Sequence, residues 1–279
     1  MIKVGFIDYF LDEWHANNYP SMFQEASNGE VTVAYCWAMI DSPKGGLTSK
    51  EWAEKYGVTL CDTMEEVIEK SDVLCVLSPD NPEMHEILCE KPLKSGKTTY
   101  IDKTFAPDLA TAKRIFAVAE SNNTPAITTS ALRYASEYQD VDTDSLTSAI
   151  SVGGGLPEIY MIHQIEPIVL LFGAEPKRLM NVGSEALPEY IVEFADGRRA
   201  TIACCRPNCP FQMVFNFKDT CKIVPIESPF FMNFIHNLIT FFKTGVEAIP
   251  HAQTYAVIAI REAAIKARTA PDQWFTIEM

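Results

Sequence analysis

A chain of 279 residues, 47% hydrophobic and 22% charged, has room for two ordinary domains with full cores. Its 23 Lys and Arg against 37 Asp and Glu leave a net −14, which argues against nucleic acid or an anionic membrane as partner. No apolar run approaches the ~20 residues that span a bilayer, and MIKVGFIDYF reads as a buried strand, not a signal peptide. Eight cysteines without a secretory signal are expected to be reduced thiols in a cytoplasm.

Lys3–Ile7 reads as the first strand. After it comes an unusually polar segment with Asp8, Asp12, Glu13, His15, Asn17, Asn18 and Tyr19. Either Asp12 caps a helix whose dipole Glu13 complements, or the carboxylates and His15 bind a metal or a hydroxyl-rich ligand. Val31–Trp37 reads as the second strand, with Trp37 packing or offering a stacking face. Thr48-x-x-Glu51 is a capping box for a helix ended by Gly57, and Thr63-x-x-Glu66 caps another. Val73–Leu77 is a buried strand stopped by Ser78-Pro79, and Asp80-Asn81-Pro82 starts a helix carrying His85, Ile87 and Leu88. Thr98–Ile101 is the next strand, with Lys103 just past its end. Two βα units in succession imply a parallel sheet, which binds ligands at its carboxyl edge. Lys103 there is either solvated or placed for an anion or for chemistry.

Pro107-Asp108 starts a helix with Leu109, Ala112, Phe116 and Ala119 on one stripe, and Pro125–Thr129 closes the first domain. Ser130 to about Val152 is polar and carries no clear period. Further on, Tyr190–Phe194, an Asp196-Gly197 turn and Ala200–Cys204 read as a hairpin, followed by strands at Met213–Phe217 and Cys221–Val224. Phe230–Phe242 and Gln253–Ala267 read as helices. Cys204, Cys205, Cys209 and Cys221 lack a paired CxxC pattern, so they are expected to be buried thiols, and no metal site is assigned.

Two stretches resemble the glucose–fructose oxidoreductase / inositol dehydrogenase (Gfo/Idh/MocA) family. That family has a strand ending T-P, a His eleven residues before Gly-Lys, and E-K-P seven after the Gly; here these are Ser78-Pro79, His85 before Gly96, and Asp102-Lys103-Thr104. Arg133-Tyr134 matches an R-Y pair that the family often shows after its first domain. Its second domain opens G-G-G with a His, an acid three residues on and a glycine ten past the His, matched by Gly153-Gly154-Gly155, His163, Glu166 and Gly173. The acid expected four residues before the His is Ile159, with Glu158 one position away.

The resemblance implies a Rossmann-like parallel-sheet domain over 1–128 and an α/β substrate and oligomerisation domain with a mostly antiparallel sheet over 129–279. It implies an NAD- or NADP-dependent oxidoreductase acting on a sugar, polyol or related small hydroxy compound, with Lys103, His163 and Glu166 catalytic. Asp8, Phe10, Trp37, Ser78, Pro79 and His85 take the family's cofactor-side positions. Asp8, Phe10 and Glu13 replace the three glycines of its phosphate turn, and Trp37 replaces the acid that binds the ribose. Cofactor binding in the usual pose is therefore expected to be weak or absent. The alternative is a family member that has lost NAD(P) and serves as a ligand-binding protein or a non-redox lyase or hydrolase. A homo-oligomer is expected through the second-domain sheet, whose strands carry Ile191, Phe194, Ile202, Met213, Phe215 and Phe217.

Overall fold

The computed structural model describes residues 1–43, 45–155 and 158–279. The chain divides into two compact units, Met1–Thr129 with Phe234–Ile249, and Ser130–Asn233 with Pro250–Met279. The first boundary lies one residue past the expected 128. The return of 234–249 to the first unit has no counterpart in a simple two-segment division. No helix among the described residues is long and apolar enough to cross a membrane.

The first unit opens with β1 (Ile2–Asp8), α1 (Trp14–Ser27), β2 (Val31–Ala38), α2 (Ser49–Tyr56), β3 (Thr59–Leu60) and α3 (Met64–Lys70). It continues with β4 (Val73–Val76), α4 (His85–Lys94), β5 (Thr99–Ile101), α5 (Leu109–Ser121) and β6 (Ala126–Thr128). The six strands form one sheet in the order β3-β2-β1-β4-β5-β6, and every pairing is parallel. The order reverses beside β1, the switch point at which such sheets bind ligands. Both capping boxes read from the sequence start helices, although only Thr48–Glu51 is closed in both directions. Asp12 is not the cap of α1; Glu13 is. Asp12 instead accepts from the Leu47 amide at 2.8 Å and from Asn17 Nδ2 at 3.0 Å.

The second unit contains β7 (Leu146–Gly154), α6 (Met161–Phe172), β8 (Pro176–Asn181), β9 (Glu189–Phe194), β10 (Arg199–Cys205), β11 (Gln212–Phe217) and β12 (Cys221–Pro225). Helix α7 (Phe230–Thr244) passes from this unit into the first, and α8 (His251–Ala267) and β13 (Trp274–Thr276) complete the chain. Its seven strands run β12-β11-β7-β10-β9-β8-β13, antiparallel where paired except for β7 with β10. The polar stretch before Val152 thus supplies a central strand. Ala149, Ser151 and Gly153 face inward, and their small or polar side chains hide the period of two.

The sheet face expected to be exposed needs correction. Phe194, Ile202, Met213 and Phe215 are buried within the chain itself, and only Ile191 and Phe217 are half-buried. The outward row is read from strand register instead: Ile223, Val214, Ile150, Thr201, Ile191, Met180 and Trp274 oppose one another in turn across all seven strands. Ile223 is 71% exposed and Trp274 36%. Of the four cysteines of this unit expected to be buried, Cys204 alone is; Cys205 and Cys209 are half-buried and Cys221 is exposed.

Gly5 shows how tightly α3 lies on β1. A Cβ there would come within 2.3 Å of Ser71 Oγ and 2.6 Å of Val67 Cγ1. Gly5→Ala is expected to destabilise the first unit by about 1–3 kcal/mol through overpacking, read as a lowered denaturation midpoint. An unchanged midpoint would show that α3 can move away at no cost.

Candidate functional site

In the first unit the sequence-predicted residues gather at the carboxyl edge of the sheet. Asp8 ends β1, Trp37 lies next to last in β2, Ser78-Pro79 follows β4, and Asp102-Lys103 follows β5. The backbone amides at the start of α1 meet a carboxylate from their own chain. Glu13 accepts from the His15 amide at 2.7 Å and from the Ala16 amide. Its Oε2 also lies 3.2 Å from His15 Nδ1, and Asp102 Oδ2 lies 3.3 Å from the same nitrogen. Asp102 Oδ1 accepts from the Tyr100 hydroxyl at 2.7 Å. The ligating atoms touch one another, and among the described residues no group of three His, Cys, Asp or Glu is arranged to hold a metal.

Asp8 is buried beside this cluster; one oxygen accepts from the Tyr9 amide at 2.6 Å and the other has no partner. Burial, then the charges of Glu13 and Asp102, push its carboxyl well above the usual range. Phe10 and Trp37 are half-buried. Ser78 is buried at φ +105°, a strained conformation for a residue with a Cβ, and its hydroxyl donates to Asn81 O at 3.2 Å. Pro79 is buried behind it. His85, expected on the cofactor side, lies between two backbone carbonyls. It is fully buried in α4, its Nδ1 3.0 Å from Phe105 O and its Nε2 2.9 Å from Leu77 O, so neither nitrogen is left for a ligand. Lys103 is the opposite case. It is only 7% exposed, and its ammonium makes no hydrogen bond or ion pair among the described residues. A buried cation without a partner is costly unless a ligand pairs it.

In the second unit α6 presents His163 and Glu166 as its i, i+3 spacing requires. His163 Nδ1 lies 2.6 Å from Ser130 Oγ, and the ring is flanked edgewise by Tyr160 and Phe211. Glu166 Oε1 accepts from the Ser130 amide at 3.3 Å and Oε2 from Arg133 at 2.9 Å, both charged side chains being buried. Arg133 also donates to Gln253. Both Glu166 oxygens are thus engaged, one by the Ser130 amide and one by Arg133. The sequence marks Arg133 only as part of an R-Y pair, and Ser130 and Gln253 carry no signal of their own. The glycine run makes room for this shell. A Cβ on Gly153 would lie 2.5 Å from the Phe211 ring, and Gly155, at φ +117°, would meet Tyr160 at 2.5 Å.

A parallel sheet in the order β3-β2-β1-β4-β5-β6, followed by a unit with a mixed sheet, defines a Rossmann-type architecture with a second α/β unit. Residues 38–129 match the Gfo/Idh/MocA model, described as an oxidoreductase family with an NAD-binding Rossmann fold. Residues 38–129 carry the sequence likeness that the motifs implied, and beyond them the likeness to solved structures is one of fold. The protein GenD2 of gentamicin A biosynthesis, solved with NAD, superimposes with a TM-score of 0.80 at 12% identity, over 100% of this chain and 97% of that one. An Agrobacterium radiobacter oxidoreductase, solved with NAD+, L-tartaric acid and magnesium, gives 0.79 at 12% identity, over 99% and 98%. An NAD-binding protein from Listeria innocua gives 0.73 at 14% identity, over 100% and 98%. No curated protein matches the chain.

The raised carboxyl of Asp8 has a pH signature. As pH climbs past the ordinary aspartate value of 3.8, the unfolded chain releases this proton while the folded chain keeps it. The folded state then binds more protons, so its stability falls until the folded value is passed. Asp8→Asn keeps the acceptor for Tyr9 and removes the ionisation. It is expected to match the parent near pH ~4 and to be more stable by a margin that widens to neutral pH, measured by denaturant midpoints across that range. A constant difference at every pH would place the charge of Asp8 elsewhere.

Proposed function

We propose that this chain acts on a sugar, polyol or related hydroxy compound without holding NAD(P) in the pose usual for its fold. The observation that carries this reading is Glu13, whose carboxylate occupies the α1 amides that a dinucleotide pyrophosphate would need. Displacing it forfeits charge-assisted hydrogen bonds worth about 1.5–3 kcal/mol each. A like-charge neighbour at ~5 Å adds about 1 kcal/mol in water and ~3 at a protein surface. Every ~1.4 kcal/mol is tenfold in affinity, so a micromolar site becomes millimolar or weaker.

Lys103 supports the ligand class. Its buried, unpaired ammonium suits a substrate hydroxyl or carboxylate oxygen, and it lowers the pKa of a hydroxyl it touches. His163 is the acid–base group of the second unit. In the tautomer with the proton on Nδ1, directed at Ser130 Oγ, Nε2 is the nitrogen that accepts a proton. The tartrate bound by the Agrobacterium radiobacter relative is a compound of the proposed kind. On this reading the protein is a ligand-binding protein or a non-redox lyase or hydrolase of the Gfo/Idh/MocA type.

The second reading is the family's dehydrogenase, favoured by the retention of Ser78-Pro79 and Lys103 where a nicotinamide half would be held. Calorimetry with NAD, NADH, NADP and NADPH at neutral pH separates the two. No heat at ~1 mM cofactor is expected, and a dissociation constant in the low micromolar range would restore the dehydrogenase.

The outward row of the second-unit sheet supports a homo-oligomer through this face. Six of its seven residues are apolar, and none is buried within the chain. Sedimentation at micromolar concentration is expected to give a dimer or larger assembly, reduced toward monomer by Ile150→Arg. A parent monomer under those conditions would refute the interface.

A further inference from the structure

Two thiols of the second unit meet at a turn to which neither the proposed chemistry nor the family motifs assign a role. Cys205 ends β10 and Cys209 follows a tight turn through Arg206, Pro207 and Asn208; the Cys209 thiol donates to Pro210 O at 3.7 Å and lies near enough to Cys205 to perturb its thiol. Both are half-buried and unoxidised. The turn is clamped from several sides. The Cys209 amide donates to Arg206 O at 3.2 Å, and Asn208 takes the left-handed conformation at φ +71°. The Gly154 amide donates to Cys209 O at 3.2 Å, and the Gly155 amide to Cys205 O at 3.3 Å. Even Gly154 is required by it, because a Cβ there would lie 2.5 Å from Arg206 O and 2.7 Å from the Cys209 amide. The pair is thus held together by the backbone, not by chance rotamers.

A cavity of about 170 Å³ opens beside Cys205, lined in part by Pro207, Leu187, Arg206 and Arg268. The Arg268 guanidinium is engaged by Glu158 and the Glu185 carbonyl, whereas Arg206 is exposed and makes no ion pair among the described residues. A thiol pair with an open approach and a spare cation suits a small anionic disulfide.

We propose that Cys205 and Cys209 form a reversible disulfide by exchange with a low-molecular-weight anionic disulfide of the glutathione type. The Cys205 thiolate attacks one sulfur of the reagent, breaking its S–S bond and releasing one thiolate, which takes up a proton. Cys209, as thiolate, then attacks the Cys205 sulfur of the mixed disulfide, forming the internal bond and releasing the second thiolate. Two electrons pass to the reagent, and the two protons lost by the cysteines end on the two released thiols. Burial, and the neighbouring Cys209, push the Cys205 thiol up, so the exchange quickens as pH rises above neutral. Cys204 next door is buried with its thiol pushed up to about 12 and stays out of the reaction. The oxidised turn would lock the glycine run from which the chain proceeds to α6 and His163.

The test is incubation of the full chain with excess glutathione disulfide at mildly alkaline pH, then alkylation and peptide mass spectrometry. The expected product is a Cys205–Cys209 disulfide, two hydrogens lighter than the dithiol and reversed by dithiothreitol. Exposed Cys221 serves as the internal control and gives only the mixed disulfide. Cys209→Ser is expected to trap glutathione on Cys205, and Arg206→Ala to slow the parent's exchange several-fold. Two separately glutathionylated or two fully alkylated cysteines in the parent would overturn the proposal, as would a Cys204–Cys205 bond. Because the readout is a covalent bond, the result is independent of cofactor affinity and of activity.

Discussion

The first unit is governed by a carboxylate that caps its own helix. The start of an α-helix leaves backbone amides without intrahelical partners, and in a Rossmann sheet those at the switch point are the natural seat of a phosphate. Here Glu13 takes that seat from within the chain. Bringing Glu13 beside Asp102 concentrates negative charge where water is scarce, and the surroundings answer in two ways. His15 is inserted between the two carboxylates, its Nδ1 3.2 Å from Glu13 Oε2 and 3.3 Å from Asp102 Oδ2. Asp8, buried beside them, is held toward its neutral form. Tyr100 donates to the remaining oxygen of Asp102. The cluster is a set of mutual accommodations to one substituted turn.

Much of this fold is legible in the sequence because the first unit follows local rules. Short apolar runs ended by Ser-Pro, Gly-Lys or a capping box fall where strands and helices begin and end, and parallel order follows from their alternation. Helix α1 is harder. Asp12 and Glu13 are both good caps in isolation, and the choice is made by Leu47, whose amide claims Asp12 from 35 residues away. Such long-range claims leave no mark in a window of sequence. The same holds for β7: Thr147, Ser148 and Ser151 conceal a strand that is central only because β10 and β11 flank it.

Spacing locates the site residues better than it assigns their work. His85 and Glu166 sit at the motif positions, yet each is fully engaged by its neighbours, one by two carbonyls and the other by Arg133 and the Ser130 amide. Removing either partner of the buried Arg133–Glu166 pair would leave a charge uncompensated, a loss of about 3–5 kcal/mol that is structural before it is catalytic. Lys103 differs in kind: its ammonium is buried and has no partner among the described residues. A motif position becomes a candidate for chemistry only when its hydrogen-bonding capacity is not already spent.

The glycine run makes the same point for the second unit. In the sequence Gly153-Gly154-Gly155 is a signature; in the structure each glycine is a space. Gly153 admits the Phe211 ring, Gly154 the turn from Arg206 to Cys209, and Gly155 the Tyr160 side chain. Phe211 and Tyr160 then flank His163, whose described hydrogen-bond partner, Ser130, is set by Glu166 and Arg133 of the same unit. The spacing of the motif is thus held from within the second unit: each glycine is filled by a neighbour, and two of those neighbours are the rings against His163.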